Sequence, residues 1–320
     1  MAFLLCVGFY GYGVMRKVGS SVGCPLTGRY VYNEVWRIME VIVGESASVD
    51  ESLWRYMSLD KLINLLETKQ LYFTALESYN ESDPFEGYMP DVAAKAFAKV
   101  FGSQVSELKQ AYESLKQIDD THNNPKLDEM RDGIEKLGSI MELAFHKISK
   151  GITVNCWHSN RVESEAMWKL YSDDGKGIAV KTSVERLRSA LKDQVFGKKV
   201  QIGKVKYLDF SDTNLTPKCC VVDGHISPLI KRLSFSHENE LRCFIVNQVP
   251  TTNIENYLPS ADSVPVDLNG LIEAIYISPF AKEPFTSSVF AMCRKYGIED
   301  KVIKSTLLDS SGFLSKLSDW

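Results

Sequence analysis

The sequence predicts an α+β fold with a helical insertion, and three observations carry that prediction. Short apolar runs rich in aromatic and β-branched residues recur from residue 53 to residue 307. Amphipathic stretches with helical spacing are interleaved with them. A long helical tract then fills residues 90–150. Composition agrees, since 44% of the 320 residues are hydrophobic and 24% are charged, enough to bury a large core.

Residues 1–50 read as an N-terminal extension. MAFLLCVGFYGYGV is apolar, but Arg16 and Lys17 follow it and no positive charge precedes it, so it lacks the order of an export signal. It is also shorter than the roughly 20 residues of a spanning helix. NEVWRIMEVIVG (33–44) places Val35, Ile38, Met39 and Ile42 at helical spacing, and the polar residues 45–52 break it from the domain at 51–310. LWRYMS (53–58) suits a strand. Ser58 stands where a helix cap belongs, before Leu59, Leu62, Ile63 and Leu66 on one helical face. LYFTAL (71–76) reads as a strand, and residues 77–87 as a loop with Pro84 after Asp83.

The insertion at 90–150 reads as two helices broken by DDTHNNPK. After it come a strand at ITVNCWHS (152–159), a short helix at ESEAMWKLY before Gly175 and Gly177, a strand at GIAVKTS (177–183), and a helix at VERLRSALKD. KVKYLDF (204–210) and SFSHENELRCFIV (234–246) follow as strands, the second the longest. LIEAIYISP (271–279), a helix at 287–297 and a strand at DKVIKSTL complete the domain, with 311–320 as a tail.

A net charge of −4 and a pI near 5.8 give no overall pull toward nucleic acid or membrane. Seven cysteines with no C-x-x-C pair point to reduced thiols in a reducing compartment, hence a cytoplasmic protein without a cysteine-bound metal.

Chemistry concentrates in Glu238-Asn239-Glu240. On one strand, Glu238, Glu240 and Arg242 share a face, and Leu241 and Cys243 point into a core. Two close carboxylates raise each other's proton affinity unless a cation offsets them, which suits acid–base work or gripping a sugar hydroxyl. The bland alternative is a solvated face where Arg242 screens Glu240. Arg55-Tyr56 in the first strand presents a guanidinium able to hold a diphosphate, or merely a surface Arg between core aromatics. Trp168 and Tyr171, three apart on one helix, stack on a flat ring or pack the core. Asn80, Asp83 and Glu86 lie in a loop where such residues also serve turns, and His158 and His237 have no triad partners by order. With Glu238 and Glu240, the acidic pair Asp83 and Glu86 could hold a divalent metal, as a nuclease would. Walker and Rossmann phosphate loops are absent from the sequence.

The order LWRYMS, LYFTALESYN…DPFEG, VNCWHS, MWKLYSDDGKGIAVKTS, HENELRCF and LIEAIYISP…VIKSTL resembles the prokaryotic family called domain of unknown function 2971 over roughly 53–308. Glu81 and Ser82 intervene where that family joins Asn directly to Asp-Pro-Phe-Glu. More distantly, a strand Arg, a second strand with Thr, and a late Glu-x-Glu are similar to ADP-ribosyltransferases. That resemblance implies a split central sheet of mixed strands and NAD as substrate. Arg55 with Tyr56 would then meet the phosphates, Thr74 support its strand, and Trp168 or Tyr171 stack near nicotinamide. Glu240 would hold a ribose hydroxyl, and Glu238 position or deprotonate the acceptor. It further implies a nucleic-acid or protein acceptor, no metal, and a toxin of phage defence or of a toxin–antitoxin pair with an inhibitory partner. A metal-dependent nuclease and a non-enzymatic interaction protein, with 90–150 as its binding surface, are the alternatives.

Overall fold

A computed structural model of the chain describes residues 40–88, 90–118, 124–135, 148–192, 198–247 and 260–310. In chain order its elements are β1 (Glu40–Val43), β2 (Ser52–Met57), α1 (Leu59–Thr68), β3 (Gln70–Ala75), α2 (Asp91–Ile118), β4 (Ile152–Ser159), α3 (Glu165–Tyr171), β5 (Ile178–Ser183), α4 (Val184–Lys192), β6 (Lys199–Lys204), β7 (Lys206–Leu208), β8 (Ile230–Arg232), β9 (Glu240–Val246), β10 (Asp262–Pro265), α5 (Leu268–Leu271), β11 (Ala274–Ile277), α6 (Phe285–Lys295) and β12 (Val302–Lys304).

Ten strands form one mixed sheet in the order β1-β6-β9-β4-β2-β5-β11-β12, with β10 joined to β3 and β3 to β4. The strand β4 is its spine. Its residues are almost all buried, which suits a run dominated by Ile, Val, Thr and Trp. One edge of β4 pairs antiparallel with β9 throughout, from Ile152↔Val246 to His158↔Glu240. The other edge is shared. Leu53 and Trp54 of β2 pair with Ser159 and His158, whereas Thr74 and Ala75 of β3 pair with Val154 and Thr153. Asn155, Cys156 and Trp157 fall between those two registers, so the sheet forks there, with β2 and β3 as its tines and α1 joining them.

Period-two alternation divides the side chains between two covered faces. On one, Leu53, Met57, Trp157, Leu241, Cys243 and Ile275 meet Leu62, Leu65 and Leu66 of α1, Leu187 and Leu191 of α4, and Val289 and Cys293 of α6. Each fully buried Leu contributes on the order of 1.5–3 kcal/mol. On the other, Trp54, Tyr56 and Ala179 lie under Met167 and Trp168 of α3, beside a smaller cluster of Leu76, Ile152, Val154, Leu229 and Phe244.

Most expected elements appear within a residue or two of their expected ends, but four expectations are corrected. Glu40–Val43 is a strand parallel to β6 and not the end of a helix over 33–44, because pairing with Lys199–Ile202 overrides the apolar spacing. KVKYLDF is not one strand: β6 ends at Lys204 and β7 begins at Lys206 in a separate two-stranded pair with β8. The expected strand over 234–246 begins only at Glu240, since Leu233–Glu238 is a 3-10 turn ended by Asn239 at φ 39°. Ser58 stands at the start of α1 but makes no side-chain cap hydrogen bond. The insertion contains α2 and a helical stretch at residues 125–135. The apolar N-terminal stretch and the tail at 311–320 lie outside the described residues.

Candidate active site

The floor of the site is set by the register of β4 against β9. Cys156 stands opposite Arg242 and His158 opposite Glu240, so these four side chains share the face away from the main core. Asn239 tolerates the left-handed backbone that reverses the chain into β9, and this turn brings Glu238 back over Glu240. Its backbone carbonyl accepts from Ser159 N–H at 2.9 Å, and its side-chain amide donates to Ser159 O. The Glu240 backbone N–H donates to the Tyr207 hydroxyl at 2.8 Å.

Into this turn β8 delivers Lys231. Its ammonium bonds Glu240 at 2.8 Å and also Glu238, and lies 3.4 Å from Glu86. Arg242 bonds Glu86 at 2.8 Å, Glu240 through Nε, and the Pro228 carbonyl at 3.1 Å. Lys231, Glu86, Glu240 and Arg242 are all buried. The Glu238 side chain is 17% exposed against 9% for Glu240, so Glu238 is the more accessible carboxyl of the two.

Burial raises the Glu238 carboxyl to about 7, helped by the hydrogen bond and repulsion of Glu240 and opposed by Lys231. Burial pushes Glu240 the same way, but Arg242, the bond from Glu238 and Lys231 together hold it well below the usual carboxylate range. The two carboxyls therefore divide one proton unequally: Glu238 keeps it and Glu240 stays an anion. For Lys231, burial opposes the charge but Glu240 and Glu86 outweigh it and keep the ammonium protonated. While Glu238 is neutral, two cations face two anions. Its deprotonation leaves the cluster net negative.

Arg55 sits where the sheet forks. Its guanidinium lies 5.7 Å over the Trp157 ring, and among the described residues it forms no ion pair. Burial lowers its proton affinity, and the groups around it are Cys156, Tyr79, Cys243 and Tyr171. Burial pushes the Cys156 thiol up to about 12, and the Glu240 anion adds to it. By alternation along β2, Arg55 lies on the Leu53 and Met57 side of the sheet with Trp157, and Glu240 and Arg242 lie on the other side.

The other expected residues are placed less centrally. Thr74 pairs with Val154 at the opposite tine and adjoins the Tyr79 phenol. Tyr56 is buried edge-on to Trp168 at 4.9 Å, and its hydroxyl accepts from Ser164 N–H. Trp168 is fully buried and donates to Glu163 at 3.0 Å, so it packs the core, while Tyr171 on the same helix is exposed. His237 is exposed in the 3-10 turn. Asp83 pairs with Arg232, whose guanidinium lies between the Phe85 and Phe235 rings at 4.7 and 5.4 Å. Among the described residues no group of three or more acidic, His or Cys side chains is arranged to hold a metal, and the Lys231 ammonium fills the space shared by Glu86, Glu238 and Glu240.

Sequence reasoning missed Lys231, Arg232, Tyr79, Tyr207 and Cys156. The one signal was arithmetic: three clustered carboxylates need more compensation than Arg242 alone supplies. Nothing local marks Lys231 as the partner.

A cavity of about 440 Å³ adjoins the site at Tyr171 and is lined also by Met57, Ser58, Lys61 and Lys169. A larger one of about 1160 Å³ lies along residues 174–176 and 279–285. Its charged groups are surface residues.

The described residues thus form a mixed α/β chain with a forked sheet and a buried carboxyl pair. Residues 167–243, from α3 to the Cys243 position of β9, match the family model described as Protein of unknown function (DUF2971). The matched segment holds Tyr171, Lys231, Glu238, Glu240 and Arg242. No curated protein and no solved structure matches the chain. Among the described residues no helix is long and apolar enough to cross a membrane.

Proposed function

We propose that this chain transfers ADP-ribose from NAD to a nucleophile on a nucleic acid or protein. The observation that supports it best is the Glu238–Glu240 pair, one carboxyl raised to about 7 beside a fixed anion. Arg55 has the charge and the missing counter-ion that a diphosphate supplies. Tyr171 offers an exposed ring beside it for the nicotinamide end.

In this mechanism the bond from the ribose anomeric carbon to nicotinamide breaks. Nicotinamide leaves neutral with the bonding pair, and positive charge develops on the sugar. Glu240 has one oxygen on Lys231 and the other on Arg242, so it acts as a fixed anion rather than as a grip on the ribose. As the acceptor attacks, its proton passes to ionised Glu238, and a bond to the anomeric carbon forms. Deprotonated Glu238 also leaves the cluster net negative, which favours the cationic sugar.

The test is incubation with labelled NAD and total RNA, DNA or cell lysate as acceptors. Label is expected on one acceptor class with wild type and to fall at least about 100-fold in Glu238→Gln, the usual size of a lost general base. Absence of label on all three from folded protein, or equal label from Glu238→Gln, overturns the reading.

A further inference from the structure

A single apolar side chain at a protein surface is ordinary, but one that buried groups fix in place there is not. Phe85 is such a residue. It is 50% exposed, whereas Asp83, two residues earlier, is buried. The Asp83 carboxylate accepts from the Phe85 N–H at 3.0 Å and pairs with Arg232, whose guanidinium lies 4.7 Å over the Phe85 ring. One buried anion thus holds both the backbone that carries the ring and the cation beneath it. The loop is pinned on its far side as well. Gly87 takes φ 79°, its carbonyl accepts from the buried Ser227 hydroxyl, and the Tyr88 N–H donates to the Phe85 carbonyl at 3.0 Å.

The column continues toward the carboxyls. Arg232 also lies 5.4 Å over the Phe235 ring, and the Lys231 ammonium that bonds Glu238 lies 4.7 Å over that same ring. Phe235 and Glu238 belong to one 3-10 turn. A chain of direct contacts therefore runs from the exposed Phe85 ring through Arg232, Phe235 and Lys231 to Glu238, the more accessible carboxyl of the pair.

Charge decides what suits the open side of Phe85. A cation there meets the repulsion of Arg232 across the ring, and an anion gains little from an Arg232 already paired with Asp83. A neutral flat ring stacks without either cost. Ser234, Ser236 and His237, in the turn that carries Phe235, are exposed. Their hydroxyls and imidazole suit the hydrogen-bonding edge that a nucleobase has and a hydrocarbon ring lacks.

We infer that Phe85, backed by Arg232, is a stacking platform for a base of a single-stranded nucleic acid, and that this strand is the acceptor presented to Glu238. The inference rests on the reading of Glu238 as the group that takes the acceptor's proton, and it selects nucleic acid over protein. A duplex hides the faces of its bases, so the strand is single. With a net charge of −4 the protein has no overall field for phosphates, and stacking carries the affinity.

The test is fluorescence anisotropy of short labelled single strands of DNA and RNA, each beside the same strand made abasic, titrated with wild type, Phe85→Ala and Phe85→Trp. Wild type is expected to bind an intact strand at least about tenfold more tightly than its abasic form, the usual worth of a stacked base. Phe85→Ala should lose that preference and Phe85→Trp keep it, at unchanged melting temperature, since the ring is half exposed. Equal binding of intact and abasic strands, an unchanged preference in Phe85→Ala, or no binding of any strand overturns the inference. So does a Phe85→Ala protein that loses both forms alike, because the ring then acts through the fold. A loss confined to ADP-ribose, followed by calorimetry, assigns the platform to the adenine of NAD and overturns the acceptor assignment. Base-dependent binding without label transfer from NAD leaves the platform standing and removes the transferase reading. Label transfer to nucleic acid that Phe85→Ala leaves unchanged does the reverse.

Discussion

Two sets of charge withdrawn from water meet that cost in opposite ways. Around Lys231, the carboxylates of Glu86, Glu238 and Glu240 and the guanidinium of Arg242 each have charged partners inside the protein. Arg55, in the fork between β2 and β3, has among the described residues the face of Trp157 and no ion pair. The first set is complete without a ligand and holds its geometry. The second has no counter-ion among the described residues; on the proposed reading the diphosphate of NAD supplies it, and the first set presents a carboxyl at a fixed position.

The contrast is broken most forcefully at Arg242. Arg242→Met leaves Glu86 and Glu240 facing Lys231 alone, and unfolding by urea should show a loss of about 3–5 kcal/mol, the usual result of orphaning a buried charge. A loss under about 1 kcal/mol would mean that the cluster is not the stabilising unit described. Glu240→Gln comes next, with a loss of about 1–3 kcal/mol from its two charge-assisted bonds. Because Glu240 helps to raise Glu238, the same variant should move the Glu238 midpoint, followed by carboxyl NMR, downward from about 7.

Arg55→Met should act in the opposite direction. Removing a partly buried charge that has no counter-ion among the described residues is expected to leave stability unchanged or raise it by about 1 kcal/mol, while affinity for ADP-ribose falls at least about tenfold. A clear loss of stability would mean that Arg55 has a structural anion, and the comparison would collapse.

The smallest effect is a pH dependence. Glu238 has a folded-state affinity raised from 4.5 to about 7, so it binds its proton more tightly folded than unfolded. The stability this contributes is complete below about 4.5 and is lost as pH rises through about 7. Wild type should therefore match Glu238→Gln in melting temperature at acid pH and drop below it above neutrality. Partial exposure of the side chain keeps the gap small. Parallel curves across that range would show that Glu238 titrates normally.

Much of the fold was legible because strong periodicities and sharp breaks agree. The β2–α1–β3 unit, β4, β5 with α4, and α6 all carry an unambiguous pattern within a few residues. The short strand β1 was not legible, since Val41, Ile42 and Val43 fit helix and strand alike and only the partner β6 decides. The polar edge strand β10 and the brief β8 had no period long enough to read. At the site, the carboxyl pair and Arg55 were visible as charges among apolar residues. The turn at Asn239 was not, although Asn in a strand-like run is the residue that most readily allows it. Trp168 shows the limit of spacing: it shares a helix face with Tyr171, yet packing takes one ring into the core and leaves the other at the surface. Lys231 reaches the carboxyls only through the return from β8, which no local pattern reports.

The most direct test of the account is the rate of NAD consumption as a function of pH with the acceptor saturating. A base at Glu238 predicts a rate that rises with a single inflection near 7, and no comparable rise in Glu238→Gln. A rate that is flat from pH 5.5 to 8.5 by order-of-magnitude comparison (about 1000-fold in proton activity), or no NAD consumption in the presence of any acceptor class, would contradict it.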